Sequence, residues 1–215
     1  MMTTNKLTKT FASGSLAIGV LAGAVLTATS ASAASMLTWA QWTGGTPLEK
    51  GDKKVTFVSE NGFGAEALDD VELIGMGHHY YFLYDATTLG SPDPNISSGS
   101  FTYTIEVTDP NKSIVGVDLD SDVSSNYGTV TETFDEIPGL SLVSVNGSAD
   151  PAVGFEPIPP HKLLTVTNTL SNPGSPTEGL FQLQNSFHQV PEPGTILGLL
   201  AVGGLGLVSR FKKQK

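Results

Sequence analysis

Residues 100–109, SFTYTIEVTD, alternate without a break: Phe101, Tyr103, Ile105 and Val107 fall on one side, Thr102, Thr104, Glu106 and Thr108 on the other. A period of two suits a strand with one buried and one wet face. Asp109-Pro110-Asn111 then marks a turn. SIVGVDLD follows as a second strand with Val115, Val117 and Leu119 on one face, and the pair is expected to form a hairpin with a loop of about four residues. Residues 129–134, 140–145, 163–170 and 180–187 repeat the strand pattern between Gly, Pro, Asn or Asp breaks, and Asn146-Gly147 signals a tight turn. KKVTFVSE and HHYYFLYDA read as further strands, AQWTGG as a first edge strand, and residues 61–70 as room for one short helical turn. No sustained helical period interrupts this series. The expected fold is all-β: an antiparallel β-sandwich, Greek-key or jelly-roll-like, of eight or so strands. A closed barrel is the lesser alternative.

The two ends of the chain differ from this body. Lys6 and Lys9 precede an apolar run, residues 16–26, and then small residues with Ala31, Ala33 and Ala34 at a cleavage-type A-x-A position. That is the layout of a secretory signal peptide, and it assigns residues 1–33 to it. At the other end residues 195–208 are uncharged and apolar, followed by Arg210, Lys212, Lys213 and Lys215. An apolar run ending in cations reads as a single transmembrane helix with a stop-transfer cluster on the cytoplasmic side. Val190, Pro191, Glu192 and Pro193 lie just before it. Each proline disfavours helix in the residue before it, so Val190 and Glu192 should be extended and form an accessible handle.

Pro-Glu-Pro, a short apolar segment and a basic cluster, in that order over residues 190–215, resemble a PEP-CTERM sorting signal. The resemblance implies recognition of Pro191, Glu192 and Pro193 by an exosortase, a multi-pass membrane protease or transpeptidase. It also implies export through the general secretion machinery, anchoring in the inner membrane with the body outside, and a final place at the cell surface or in the extracellular matrix. Within the body, FTYTIEVTDPNKSIVGVDLDSDV and the run Asn185, Phe187, Gln189 and Val190 are similar to the ectodomains of small PEP-CTERM proteins, a group that supplies no activity to carry over.

Residues 34–189 form the ectodomain. They hold 20 acids against five lysines (Lys50, Lys53, Lys54, Lys112 and Lys162), a formal charge of −15. Nucleic-acid binding needs a basic footprint and is not expected. The chain has no cysteine, which removes disulfides, thiolate nucleophiles and cysteine metal sites.

Asp118, Asp120 and Asp122 recur every second residue and are the candidate metal ligands. Such a row suits Ca²⁺, although Val123 and Thr129 break the EF-hand pattern, and a solvated outer face is the competing reading. His78 and His79 point to opposite faces of a strand, so a Zn²⁺ site needs His161 or His188 brought in by folding. The acid pairs Asp69-Asp70 and Asp135-Glu136 leave a glycan hydrolase open, but no nucleophile elbow or phosphate loop occurs, and no catalytic residue is assigned. Trp39, Trp42, Tyr80, Tyr81 and Tyr84 are either core or a sugar-stacking face. The expectation is a non-catalytic structural or polysaccharide-interacting ectodomain, with a carboxylate-dependent hydrolase or a calcium-binding adhesion module as alternatives.

Overall fold

The computed structural model of the chain describes residues 34–173 and 177–191. The chain divides into two compact units, Met1–Ser30 and Ala31–Lys215, and every described residue belongs to the second. Thirteen elements follow in order: β1 (Met36–Thr38), α1 (Trp39–Thr43), β2 (Leu48–Lys50), β3 (Lys53–Asn61), β4 (Asp70–Met76), β5 (His79–Asp85), β6 (Gly99–Val107), β7 (Lys112–Val123), β8 (Thr129–Phe134), β9 (Ser141–Val145), β10 (Glu156–His161), β11 (Leu163–Ser171) and β12 (Leu180–Pro191).

They build two six-stranded antiparallel sheets. One runs β1-β4-β5-β12-β7-β10, the other β2-β3-β6-β11-β8-β9. From β5 onward the chain keeps crossing between sheets, β8–β9 being the one pair that stays in place. The eight strands from β5 onward therefore stand as β5-β12-β7-β10 over β6-β11-β8-β9, two interlocked Greek keys in jelly-roll order. Alternation dictates the core. Phe101, Tyr103, Ile105 and Val107 of β6 are buried, and so are Tyr80, Phe82 and Tyr84 of β5. Phe82 stacks on Tyr103 across the sandwich at 4.5 Å between ring centroids. Aromatic pairs at this spacing add to the area that each ring removes from water.

Four local expectations are corrected. β6 and β7 are joined by a four-residue loop, but they do not pair: β6 bonds β3 and β11, while β7 bonds β12 and β10. The loop is an arch between sheets, because the apolar side of each strand must face the same core. In β7, Ile114 takes the buried place expected of Val115, since the register slips between His188 and Gln189 on β12. AQWTGG is not a strand. Thr38 and Gln41 close a capping box (Thr38 Oγ1 accepts from the Gln41 N–H at 3.3 Å, Gln41 Oε1 from the Thr38 N–H at 3.0 Å), and α1 turns Trp39 and Trp42 into the core. Residues 61–70 hold no helix. The strands β1, β2, β4 and β10 come in addition to those expected; β10 is an edge strand carrying Pro157, Pro159 and Pro160.

One part of the interior is polar. The Tyr103 hydroxyl and the Asn168 amide both donate to Asn185 Oδ1 (2.9 Å each), and Asn185 returns a bond to Asn168 Oδ1 at 3.0 Å. Beside them Glu132 is wholly buried, and neither of its carboxyl oxygens has a hydrogen-bond partner. Burial, with a push from Asp118, drives its pKa well above the ordinary value; the nearby Asn185 amide works the other way. A carboxyl raised on folding keeps its proton in the folded state and releases it in the unfolded one. The fold therefore loses stability as pH rises above the unfolded pKa of about 4.3. Glu132→Gln is expected to raise stability at neutral pH by about 1–3 kcal/mol and to flatten that decline, as read by denaturant melts between pH 4 and 8.

Candidate functional site

The described chain ends with β12 at Pro191, where the sequence runs on toward its apolar tail, and this exit is tightly built. β12 lies between β5 and β7, paired with β5 from Gln182 to His188 and with β7 from Leu180 to Pro191. Val190 pairs with Ser113 and Pro191 with Lys112, so Val190 is extended, as the following proline requires. Pro191 sits past the stretch that β5 covers, at a strand end, where a missing N–H is tolerated. The handle is less free than expected: Pro191 is exposed, but Val190 is partly buried within the sheet.

Asp52, at the β2–β3 turn, gathers the groups around this exit. The Tyr80 hydroxyl donates to its Oδ1 at 2.7 Å, the Lys53 ammonium sits 3.0 Å away, and the Gln189 amide donates to Oδ2 at 3.0 Å. Lys112 stands 3.5 Å from Oδ2. Lys53 is buried over the Tyr80 ring, 4.1 Å from its centroid. Partial burial alone would raise the Asp52 pKa, but the bonds from Tyr80 and Lys53, the Lys53 charge and the Gln189 amide outweigh it and bring the carboxyl down to about 2.

The outer face of the β12 sheet carries the metal candidates. Asp118 faces Ser186 of β12 and is half-buried; burial pushes its pKa up to about 6, Ser186 opposes this, and Asp120 and Asp150 add to it. Asp120 Oδ1 accepts the N–H of Ser121 at 2.8 Å, and Asp122 is exposed. Among the described residues no three histidines or carboxylates converge on a point that could hold a metal ion, so Asp118, Asp120 and Asp122 stand as a row along a strand. Folding does bring His188 opposite His79, with ring centroids 5.0 Å apart. Phe155 lies against both, at 4.9 and 5.5 Å, and Tyr81 donates to or accepts from His79 Nδ1 at 3.4 Å. Gly116 makes room for this patch: a Cβ there would stand 3.0 Å from that of Phe155 and 3.3 Å from that of His188. Burial, together with His79 and His78, lowers the His188 pKa.

The sugar-stacking candidates are corrected in part. Trp39, Trp42, Tyr80 and Tyr84 are buried in the core, leaving Tyr81 alone of the five on the outer face. Phe155 was missed, because it lies in a loop with no strand period to mark it.

A cavity of about 410 Å³ opens at the end of the sandwich opposite the exit, lined among others by Gly64, Glu66, Asp69, Asp93, Asn95 and Ser97. Asp69 is buried. Its Oδ2 accepts from the Tyr84 hydroxyl at 2.6 Å and from the Glu66 N–H at 2.8 Å, while Oδ1 has no hydrogen-bond partner. Burial raises its pKa, and the Glu66 charge adds to this against the hydrogen bonds. Glu66 takes the Ser91 hydroxyl at 2.9 Å. Of the acid pairs named from sequence, Asp70 lies on β4 facing Asp85, and Glu136 is engaged by Thr165, whose N–H and hydroxyl donate to it at 2.7 and 2.8 Å.

Residues 189–213 match the family model of the PEP-CTERM protein-sorting motif, so the chain carries that motif, which begins within the end of β12. The motif implies export, membrane anchoring through the C-terminal region and recognition by an exosortase. No curated protein matches the chain. Pro191 is the one residue of the Pro-Glu-Pro core inside the described structure. Ala31, Ala33, Glu192, Pro193, Arg210, Lys212, Lys213 and Lys215 lie outside the described residues, as do the expected signal peptide and transmembrane helix. Among the described residues no helix is long and apolar enough to cross a membrane.

A carboxyl lowered on folding stabilises the fold above its unfolded pKa of about 3.9 and loses that contribution as pH falls toward its folded value. Asp52→Asn is therefore expected to cost on the order of 2 kcal/mol at neutral pH and to weaken the acid limb of the stability curve between pH 4 and 2, measured by thermal melts.

Proposed function

We propose that the protein is an exported component of the cell envelope or extracellular matrix, handed over by an exosortase through Pro191, Glu192 and Pro193, whose β-sandwich contacts polysaccharide without catalysing a reaction on it. The observation that carries the sorting half is the motif match over residues 189–213. What supports the polysaccharide half is the outer face of the β12 sheet. Tyr81, Phe155, His79 and His188 offer apolar ring surface with polar tips. Gln182 and Gln184 on β12 and Asp120 opposite Gln184 stand beside them. Rings cover the C–H faces of a sugar, while amides and carboxylates bond its hydroxyls. A long open sheet face suits a chain better than a small molecule, which prefers a concave pocket.

The buried carboxyl of Asp69 near Glu66 favours a second reading, a glycan hydrolase working in the 410 Å³ cavity. Its general acid would be Asp69, kept protonated by burial.

Two measurements separate these readings. In glycan-array and calorimetric titrations of the protein, Tyr81→Ala with Phe155→Ala is expected to weaken polysaccharide binding about fivefold to a hundredfold, at roughly 1–3 kcal/mol for two lost aromatic contacts; unchanged binding would count against the platform. Polysaccharide turnover that disappears in Asp69→Asn would instead favour the hydrolase. For sorting, mass spectrometry of the mature protein from cells with an active exosortase is expected to show a shortened C-terminus, and Glu192→Ala to leave Lys215 in place.

A further inference from the structure

The five lysines of the ectodomain are scattered through its sequence, yet the fold collects them at one end. Lys50 pairs with Lys53 across the β2–β3 hairpin, and Lys54 pairs with Glu106 near the end of β6. Lys112 pairs with Pro191 at the exit of β12. Lys162 donates to backbone carbonyls of the 109–112 turn, the loop that closes the same end. Glu49, Asp52, Glu106 and Asp109 stand among these lysines, with Asp135 and Glu136 somewhat above them beside Thr165. This end is therefore close to neutral. The other acids lie farther along the sandwich, where there is no lysine. Asp70 and Asp85 face each other at its far end, and Asp122, Glu66, Asp69 and Asp93 lie at that end too.

The charge is thus sorted along the strand direction, and the near-neutral, lysine-bearing end is the one from which the chain leaves for its anchor. Four residue steps separate Pro191 from Thr195, where the apolar run begins. Fully extended, they reach at most about 14 Å, so this end stays within two Debye lengths of the anchor's start at physiological salt, at about 8 Å each. An anionic surface repels a domain of formal charge −15 least when the acidic end points away from it.

We propose that the ectodomain stands end-on against the anionic phospholipid surface of its anchoring membrane, with Lys50 and Lys54 facing the lipid phosphates and the acidic end, with its cavity, pointing away. This rests on the membrane-anchoring reading of the sorting motif. Lys50 is exposed and Lys54 partly so; Lys53 is committed to Asp52, and Lys112 to Asp52 and Asp109.

The chain has no cysteine, so single probes can be placed cleanly. Met76, at the exit end, is 65% exposed, and Leu89, in the loop after β5 at the far end, is fully exposed. Full-length Met76→Cys and Leu89→Cys proteins, each carrying a fluorophore, are reconstituted into vesicles bearing a headgroup-attached quencher. The tether alone brings Met76 nearer the bilayer, so the informative quantity is how the Met76-to-Leu89 quenching ratio depends on lipid charge. That ratio is expected to be about threefold higher with roughly one-third phosphatidylglycerol than with phosphatidylcholine alone, and to fall to the phosphatidylcholine value in about 0.5 M salt. The Lys50→Glu and Lys54→Glu double substitution is expected to abolish the difference, and the salt series tests the same point with the lysines intact. Equal ratios in the two lipids, or a difference that survives salt, overturn the proposal. Flotation with the vesicles reports anchoring separately: a chain that floats with equal ratios overturns the orientation alone, whereas one that does not float overturns the anchoring reading and this inference with it.

Discussion

The fold depends on one insertion. β12 is the last described strand, yet it lies inside its sheet, bonded to β5 on one side and β7 on the other. Until it enters, those two strands have no common partner, and the core loses Leu183 and Phe187 from its centre. Pairing residues so far apart in sequence is costly in chain entropy before it is rewarded. The exit network then holds the strand's end: Asp52 draws on Gln189, Tyr80, Lys53 and Lys112, groups from four strands. An arriving chain thus completes its sandwich only with the residues that begin its sorting motif.

The polar centre works against stability. The mutual amide bonds of Asn168 and Asn185, with Tyr103 added, are satisfied and tie the two sheets at a defined register. Glu132 beside them is not satisfied, and a fully buried carboxyl without a partner costs more than an apolar residue of its size. A domain that keeps such a group trades stability for register, since a slip of β8 by one residue would turn Glu132 outward and Thr131 and Thr133 inward.

Much of this was legible in the chain. Alternation marked β6, β8, β11 and β12 as strands and gave the buried side of β6, because a two-residue period is a local property. Which strands pair is not local, and the short turn between β6 and β7 suggested a hairpin where the core demanded an arch. The Thr38-x-x-Gln41 capping box that starts α1 is a weak signal over so short a helix, and the sequence there reads instead as an edge strand. The sorting motif was legible in full, since it is a linear pattern. The aromatic patch was not: it joins His79, Phe155 and His188 from three distant segments, and the glycine that makes room for it, Gly116, marks nothing by itself. The Asp69–Glu66 cavity was half visible, through Asp69 alone.

β10 has a consequence for life outside the cell. It closes one rim of the β12 sheet, and three of its six residues, Pro157, Pro159 and Pro160, bring no N–H to the backbone. An open rim with a full row of donors is a template on which a neighbouring copy can add a strand. With three of its six N–H groups missing, β10 makes a poor template, so crowded copies of this chain can pack side by side without zipping into a continuous sheet along it.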